Sequence, residues 1–296
     1  MNIVVMQNII YLIIHILFAL GLFISLKLIN VKNLNKFQAI AVNYSVAVAF
    51  TLADLALNNS GWEYSTKLFL PSFTVGLLFI VSFIVIIYST QKVGIGLTTS
   101  FNKMSVVIPV TVGVIYLGQN SDILFKIGGI VLALISFFLI LYKKPSERVK
   151  GTFILPFLVF LLPGINDTSM ELTKTYIISD PADREMFLLG VFFTALFFSL
   201  ILVYADFKRN RQKVVFRYDT ILLGAALGLF NFLTSKMLLI NVGRMGGSVV
   251  FPVHNASVVM LTALIGVFFF KESFSKRQWM GVLLAVVAVF MIASTL

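Results

Sequence analysis

The chain has 296 residues, 59% of them hydrophobic and 12% charged, with 23 basic and 12 acidic side chains and a formal net charge of +11. So few charges cannot cover the surface of a water-soluble protein of this length, and lipid must supply much of the solvent. The sequence has no cysteine, which removes disulfides, thiolate catalysis and thiolate-ligated metals, and its basic residues fall in loops between apolar runs, which argues against nucleic acid as a partner.

A helix needs about 20 apolar residues to cross a hydrocarbon core about 30 Å thick. The first such run, near 7–29, has no basic segment before it and is too long for the core of a removable signal peptide, so it reads as a retained helix. Nine more follow near 37–57, 69–90, 95–118, 122–142, 152–176, 186–206, 219–241, 247–270 and 275–295. The expected fold class is an all-α integral membrane protein of ten transmembrane helices, with short connections that make sequential helices antiparallel neighbours. The longest polar stretches, Lys143 to Lys150 and Lys208 to Arg217, are long enough only for loops.

The loops after the first, third, fifth, seventh and ninth segments, with their helix ends, hold sixteen of the 23 Lys and Arg residues. The opposite side holds five, Lys67, Lys126, Lys174, Arg184 and Arg244, and Lys103 and Lys236 lie inside segments. The alternation supports the count of ten, and the positive-inside rule then puts both termini outside the cytoplasm.

Two stretches repeat. Asn102 and Asn255, Gly113 and Gly266, Gln119 and Glu272, and Gly128 and Gly281 each stand 153 residues apart. They divide the chain into two halves of five segments, 1–145 and 146–296. An odd number of crossings per half inverts the second half in the membrane, which gives a 5+5 inverted-topology repeat, the architecture of alternating access around a midplane site.

On these residues, Gln91 to Gly128 and Arg244 to Gly281, the chain resembles the EamA-type permeases of the drug/metabolite transporter superfamily. In that family the fourth and ninth helices typically end in a small or apolar run followed by Glu, then a short turn and an apolar helix opening with Gly. Phe270-Lys271-Glu272 and Gln278-Trp279-Met280-Gly281 fit that pattern, whereas Gln119 stands where Glu is usual, as a helix-end or packing residue. Pro109 and Pro252 lie at non-equivalent positions of the repeat, so kinks are expected to differ between halves. The resemblance implies a ten-helix 5+5 fold of two EamA-like repeats, transport of small metabolites, and termini in the cytoplasm, the reverse of the charge count.

Ionisable groups inside a bilayer are costly enough to carry functional expectations. Lys103 lies roughly 13 Å into the fourth segment, too deep for easy snorkelling, among Thr98, Thr99, Asn102 and Ser105. It reads as a cationic group for a substrate carboxylate or phosphate, or as half of a structural ion pair. Asp167 and Glu171 follow Pro163-Gly164 in the sixth segment and share a helix face with Lys174. They read, with Lys236, as a proton-coupling or charged wall, or as an ion pair with Lys103 or Lys236 or a hydrated helix end. The repeat-related Asn102 and Asn255 are expected to face each other near the pseudo-axis, with His254 beside them, or to bond between helices. Asn231 is a weaker substrate contact, and Lys236 could also snorkel. Asp54 is expected at an interface, and Asp180, Asp183 and Glu185 in a solvated loop.

No phosphate-cradling glycine loop, GxSxG or HExxH motif occurs. No catalytic residue, metal ligand or cofactor is therefore assigned. The expected activity is secondary transport of a small polar metabolite, amino-acid-like or otherwise carboxylate-bearing, through a central cavity. The alternatives are an intramembrane enzyme of prenyltransferase type, faintly matched by Asn166-Asp167 with Glu171, and a channel. The expected partners are the substrate and the lipid bilayer, the expected state a monomer, and the expected location a bacterial inner membrane.

Overall fold

The computed structural model describes residues 3–58, 64–93, 95–119, 121–141, 154–210, 217–270 and 273–295. Every regular element among them is a helix: α1 (Ile3–Val31), α2 (Lys36–Leu57), α3 (Thr66–Lys92), α4 (Ile95–Met104), α5 (Val107–Ile115), α6 (Ile123–Leu141), α7 (Ile154–Tyr176), α8 (Pro181–Asn210), α9 (Tyr218–Met245), α10 (Gly247–Phe270) and α11 (Lys276–Ala293). Nine stretches of the described residues are long and apolar enough to cross a membrane, Thr98–Ile115 across α4 and α5 among them. α7 is outside that group because its second half carries Asn166, Asp167, Glu171 and Lys174, yet its 23 residues reach about 35 Å, enough for a crossing. The polar connections at 143–150 and 211–216 and the Lys271-Glu272 pair lie outside the described residues.

The fourth segment corrects the sequence reading. It is two helices, not one, with the break at Ser105 and Val106. Pro109 has no N–H for the Ser105 carbonyl, which takes the Ile108 N–H at 3.0 Å instead. The Ser105 and Val106 amides also reach back three residues, to Asn102 and Lys103, so the chain tightens into a 3₁₀-like turn. The Ser105 hydroxyl donates to the Asn102 carbonyl at 2.6 Å and covers a backbone group that the break leaves over. Pro252 sits six residues into α10 and does not break it. The kinks of the two halves differ, as the proline positions predict.

Capping chemistry sets several ends. The Asn35 side chain accepts from the Phe37 and Gln38 amides at the start of α2. Ser275 and Gln278 form a capping box at the start of α11. Gly246 turns the chain from α9 into α10 at φ +77°, a backbone that a side chain would strain.

The helices gather into two compact units. Unit 1 is Met1–Leu12, Val81–Glu171 and Asn241–Leu296, and unit 2 is Ile13–Ile80 and Leu172–Ile240. Each draws helices from both sequence halves. The spacing of 153 recurs in the helix ends: Leu57 and Asn210 close α2 and α8, Lys92 and Met245 close α3 and α9, and Ile123 and Lys276 open α6 and α11.

Within each unit, helices related by that spacing pack on each other. In unit 1, α6 packs on α11 through glycines near the start of each. Gly129 leaves no room for a side chain against Ile292, and one at Gly281 would meet Ile140 at 2.8 Å. The start of each helix therefore touches the end of the other, an antiparallel and reciprocal contact that small residues permit. In unit 2, α2 packs on α8 in the same sense, with Asn35 at the start of α2 donating to Asp206 near the end of α8 at 2.9 Å. The phenylalanine pairs divide by helix face: Phe137 and Phe192 are buried, while Phe138 and Phe193 point outward.

Candidate functional site

Unit 1 assembles most of the polar residues singled out above. Lys103, one residue from the end of α4, is 8% exposed. Its ammonium donates to the Asn255 side-chain oxygen on α10 at 3.0 Å. Asp167 on α7 is half-buried, and its charge acts on Lys103. The repeat-related asparagine is thus held by the neighbour of its counterpart, since Asn102 stands next to Lys103 on α4. His254, half-buried, precedes Asn255 on α10. The break after Met104 puts Lys103 at a helix end, where backbone carbonyls add negative potential beside the ammonium.

Glu171, one turn beyond Asp167 on α7, is fully buried, so it is not a hydrated helix end. Its Oε1 accepts from the Gln119 side-chain amide at 3.0 Å and from the Gly247 backbone N–H at 2.9 Å. Gln119 in turn accepts from the Ser248 N–H at 2.9 Å through its own side-chain oxygen. That bond fixes the amide with its NH₂ toward Glu171. Lys126 on α6 donates to the Gln119 backbone carbonyl at 3.0 Å and to Ser121 at 3.2 Å. The first turn of α10 lends its exposed N–H groups to both acceptors. Gly247 is required here, because a side chain there would collide with the Glu171 carboxylate. Lys174, on the same face of α7, donates to the Ile178 carbonyl just past its own helix at 3.2 Å.

Asn231 and Lys236 belong to unit 2, in a different cluster. Asn231 on α9 donates to the Asn43 side chain on α2 at 3.2 Å. Lys236 does not snorkel: it pairs with Asp54 at 2.5 Å and with Glu185 at 3.2 Å. Glu185 is no loop residue either. It lies in the first turns of α8, 1% exposed, and also takes Arg184 at 2.9 Å. Placing Glu185 in solvent fails because its local sequence, polar and acidic, hides a partner that comes from α9. Unit 2 also has a cavity of about 400 Å³ lined by Val48, Leu52, Phe69, Phe73, Phe193 and others. Its lining is apolar, unlike the polar surroundings of Lys103.

The sequence reading had treated Gln119 as an end residue and gave Asp54 and Glu185 no functional weight. Gln119 carried one usable signal, the repeat that sets it opposite Glu272.

Comparison with known proteins bears on the fold and the family. Residues 177–294 match the EamA-like transporter family. An uncharacterized protein of Haemophilus influenzae is 26% identical over 305 residues, covering 96% of this chain and 97% of its own. A solved crystal structure superposes with a TM-score of 0.72 at 13% identity, covering 95% of this chain and 97% of that one, a likeness of fold alone. Over residues 177–294, less than half of its length, the chain is similar to the EamA-like transporter family, which belongs to the drug/metabolite transporter superfamily.

Proposed function

We propose that the protein is a secondary transporter that moves a small carboxylate-bearing metabolite, such as an amino acid, by alternating access. The observation that carries this reading is the buried Lys103, bonded to the neutral Asn255 with Asp167 acting on it. A buried ammonium set beside an amide and a carboxylate offers a cationic partner to the carboxylate of an incoming substrate. Asp167 supplies the complementary group, for a substrate amine or a coupled proton. Asn102 and His254 flank this pair as further substrate contacts. Asn231 and Lys236 are read as structural members of unit 2, since each is already bonded there. Within this reading the protein works as a monomer in a bacterial inner membrane.

The test is thermal stability of the detergent-purified chain against amino acids, other carboxylates, purines, sugars, sugar phosphates and cationic drugs. A ligand that binds only the folded state adds about 2.7 kcal/mol at a hundredfold excess over its Kd. A saturable shift with carboxylates that is lost in Lys103→Met is the expected result. A shift with cationic drugs alone, or one that Lys103→Met leaves intact, overturns the substrate class. A shift that needs magnesium and a diphosphate would favour the prenyltransferase-type reading.

A further inference from the structure

Two points of unit 1 where the helical backbone is interrupted or weakened touch each other. The first separates α4 from α5 at Ser105 and Val106. The second is Pro163-Gly164 inside α7, where proline removes a backbone bond and glycine relaxes the chain. Gly164 lies so close to the Ile108 side chain, two residues into α5, that no Cβ fits between them. Beyond these two points, α5 and the second half of α7 run toward the same end of unit 1. There they are fastened to each other and to α10 by Gln119 and Glu171, which share the amides of Gly247 and Ser248.

From these contacts we infer that Glu171 and Gln119 form a latch that gates transport at the membrane side away from the basic loops. The inference rests on the transporter reading for its purpose, and on unit 1 alone for its geometry. The latch lies at the mouth and the polar site lies inside it. Glu171 is four residues, roughly 6 Å, past Asp167, and Gly247 is eight residues, roughly 12 Å, before Asn255. Closure is not fully satisfied: Glu171 Oε2 is buried and has no hydrogen-bond partner among the described residues. Opening would hydrate that oxygen and strand only two amides that water can also serve, which leaves the contact poised between two states rather than welded. Gln119 matters as an amide. A carboxylate there would face Glu171 with like charge and could not donate to it.

The absence of native cysteine makes the experiment clean. Ser105→Cys places one thiol at the first break, at a position 3% exposed, and a membrane-impermeant maleimide is added to vesicles from the side away from the basic loops, without substrate. Glu171→Ala in that background should speed labelling about tenfold or more, the factor that 1.4 kcal/mol makes in an equilibrium. Glu171→Gln keeps an acceptor for both amides and should label near the parent rate. Equal labelling of the parent and Glu171→Ala, with the folded yield unchanged, overturns the latch. Equal acceleration by both variants together with a lowered Tm also overturns it, since the contact is then only structural. Because no substrate is present, the outcome does not depend on the role of Lys103. A latch confirmed beside a Lys103→Met variant that still transports would fault the substrate site and leave the gate.

Discussion

The two units handle buried charge in opposite ways. In unit 2 the cation Lys236 meets two carboxylates, Asp54 and Glu185, and Glu185 also meets Arg184. The charges sum to zero and tie α2, α8 and α9 together. In unit 1 the cation Lys103 makes its hydrogen bond to an amide, with the charge of Asp167 acting on it, and Glu171 is bonded to an amide and a backbone N–H. Complete ion pairs hold helices in place and leave no appetite for a ligand. A charge whose hydrogen bond goes to a neutral group keeps more of that appetite. The backbone agrees: the break between α4 and α5 lies in unit 1, while α2, α8 and α9 run uninterrupted.

This contrast predicts that removing a cation will cost function in one unit and stability in the other. The largest effect should be in transport. Lys103→Met should abolish uptake of a carboxylate substrate in vesicles with a smaller fall in Tm than the unit 2 variant shows, because Lys103 makes its hydrogen bond to an amide and not to a carboxylate. A fall in Tm as large as that of the unit 2 variant would erase the distinction between the units. Next in size, Lys236→Met should destabilise the chain by about 3–5 kcal/mol, the usual consequence of leaving a buried carboxylate alone. Adding Asp54→Leu should recover much of that loss in thermal unfolding. A Lys236→Met variant that melts like the parent would mean that the network is hydrated and holds nothing.

A smaller effect sharpens the hinge. Gly164→Leu should force Ile108 aside and destabilise by about 1–3 kcal/mol, as overpacking does. Ile108→Ala should relieve it, and the pair should be read both in Tm and in transport rate. Smallest of all, Asn231→Ala should cost about 0.6 kcal/mol, the average for an interhelical side-chain hydrogen bond in a membrane protein. It should leave transport kinetics unchanged, whereas Asn255→Ala should raise KM.

Much of the fold was legible because hydropathy, length and charge alternation act on whole segments. The ninth segment was read as 247–270, the bounds that α10 has. The break at Ser105 was not legible. The run 95–118 is continuously apolar enough to pass as one helix, and proline alone does not decide the matter, since α10 accommodates Pro252. What differs is a local supply of hydroxyls and three-residue hydrogen bonds around Ser105. The candidate site was legible one residue at a time, through charges that a bilayer makes expensive. Its pairings were not, because they join positions up to 188 residues apart, as for Asn43 and Asn231. Lys103 and Lys236 look alike in sequence, and only their partners separate them.

The reciprocal packing of α6 on α11 has a consequence for biosynthesis. α6 is complete at Leu141, but the helix it packs on begins at Lys276. At about 5–20 residues per second, the intervening chain takes roughly 7–27 s to make. Through that interval the groove at Gly128 and Gly129 has only lipid against it, and α2 waits in the same way for α8. Helices that will be partners thus enter the bilayer as strangers. A nascent chain arrested before residue 276 should present small-residue grooves that another copy, or an insertion chaperone, can fill.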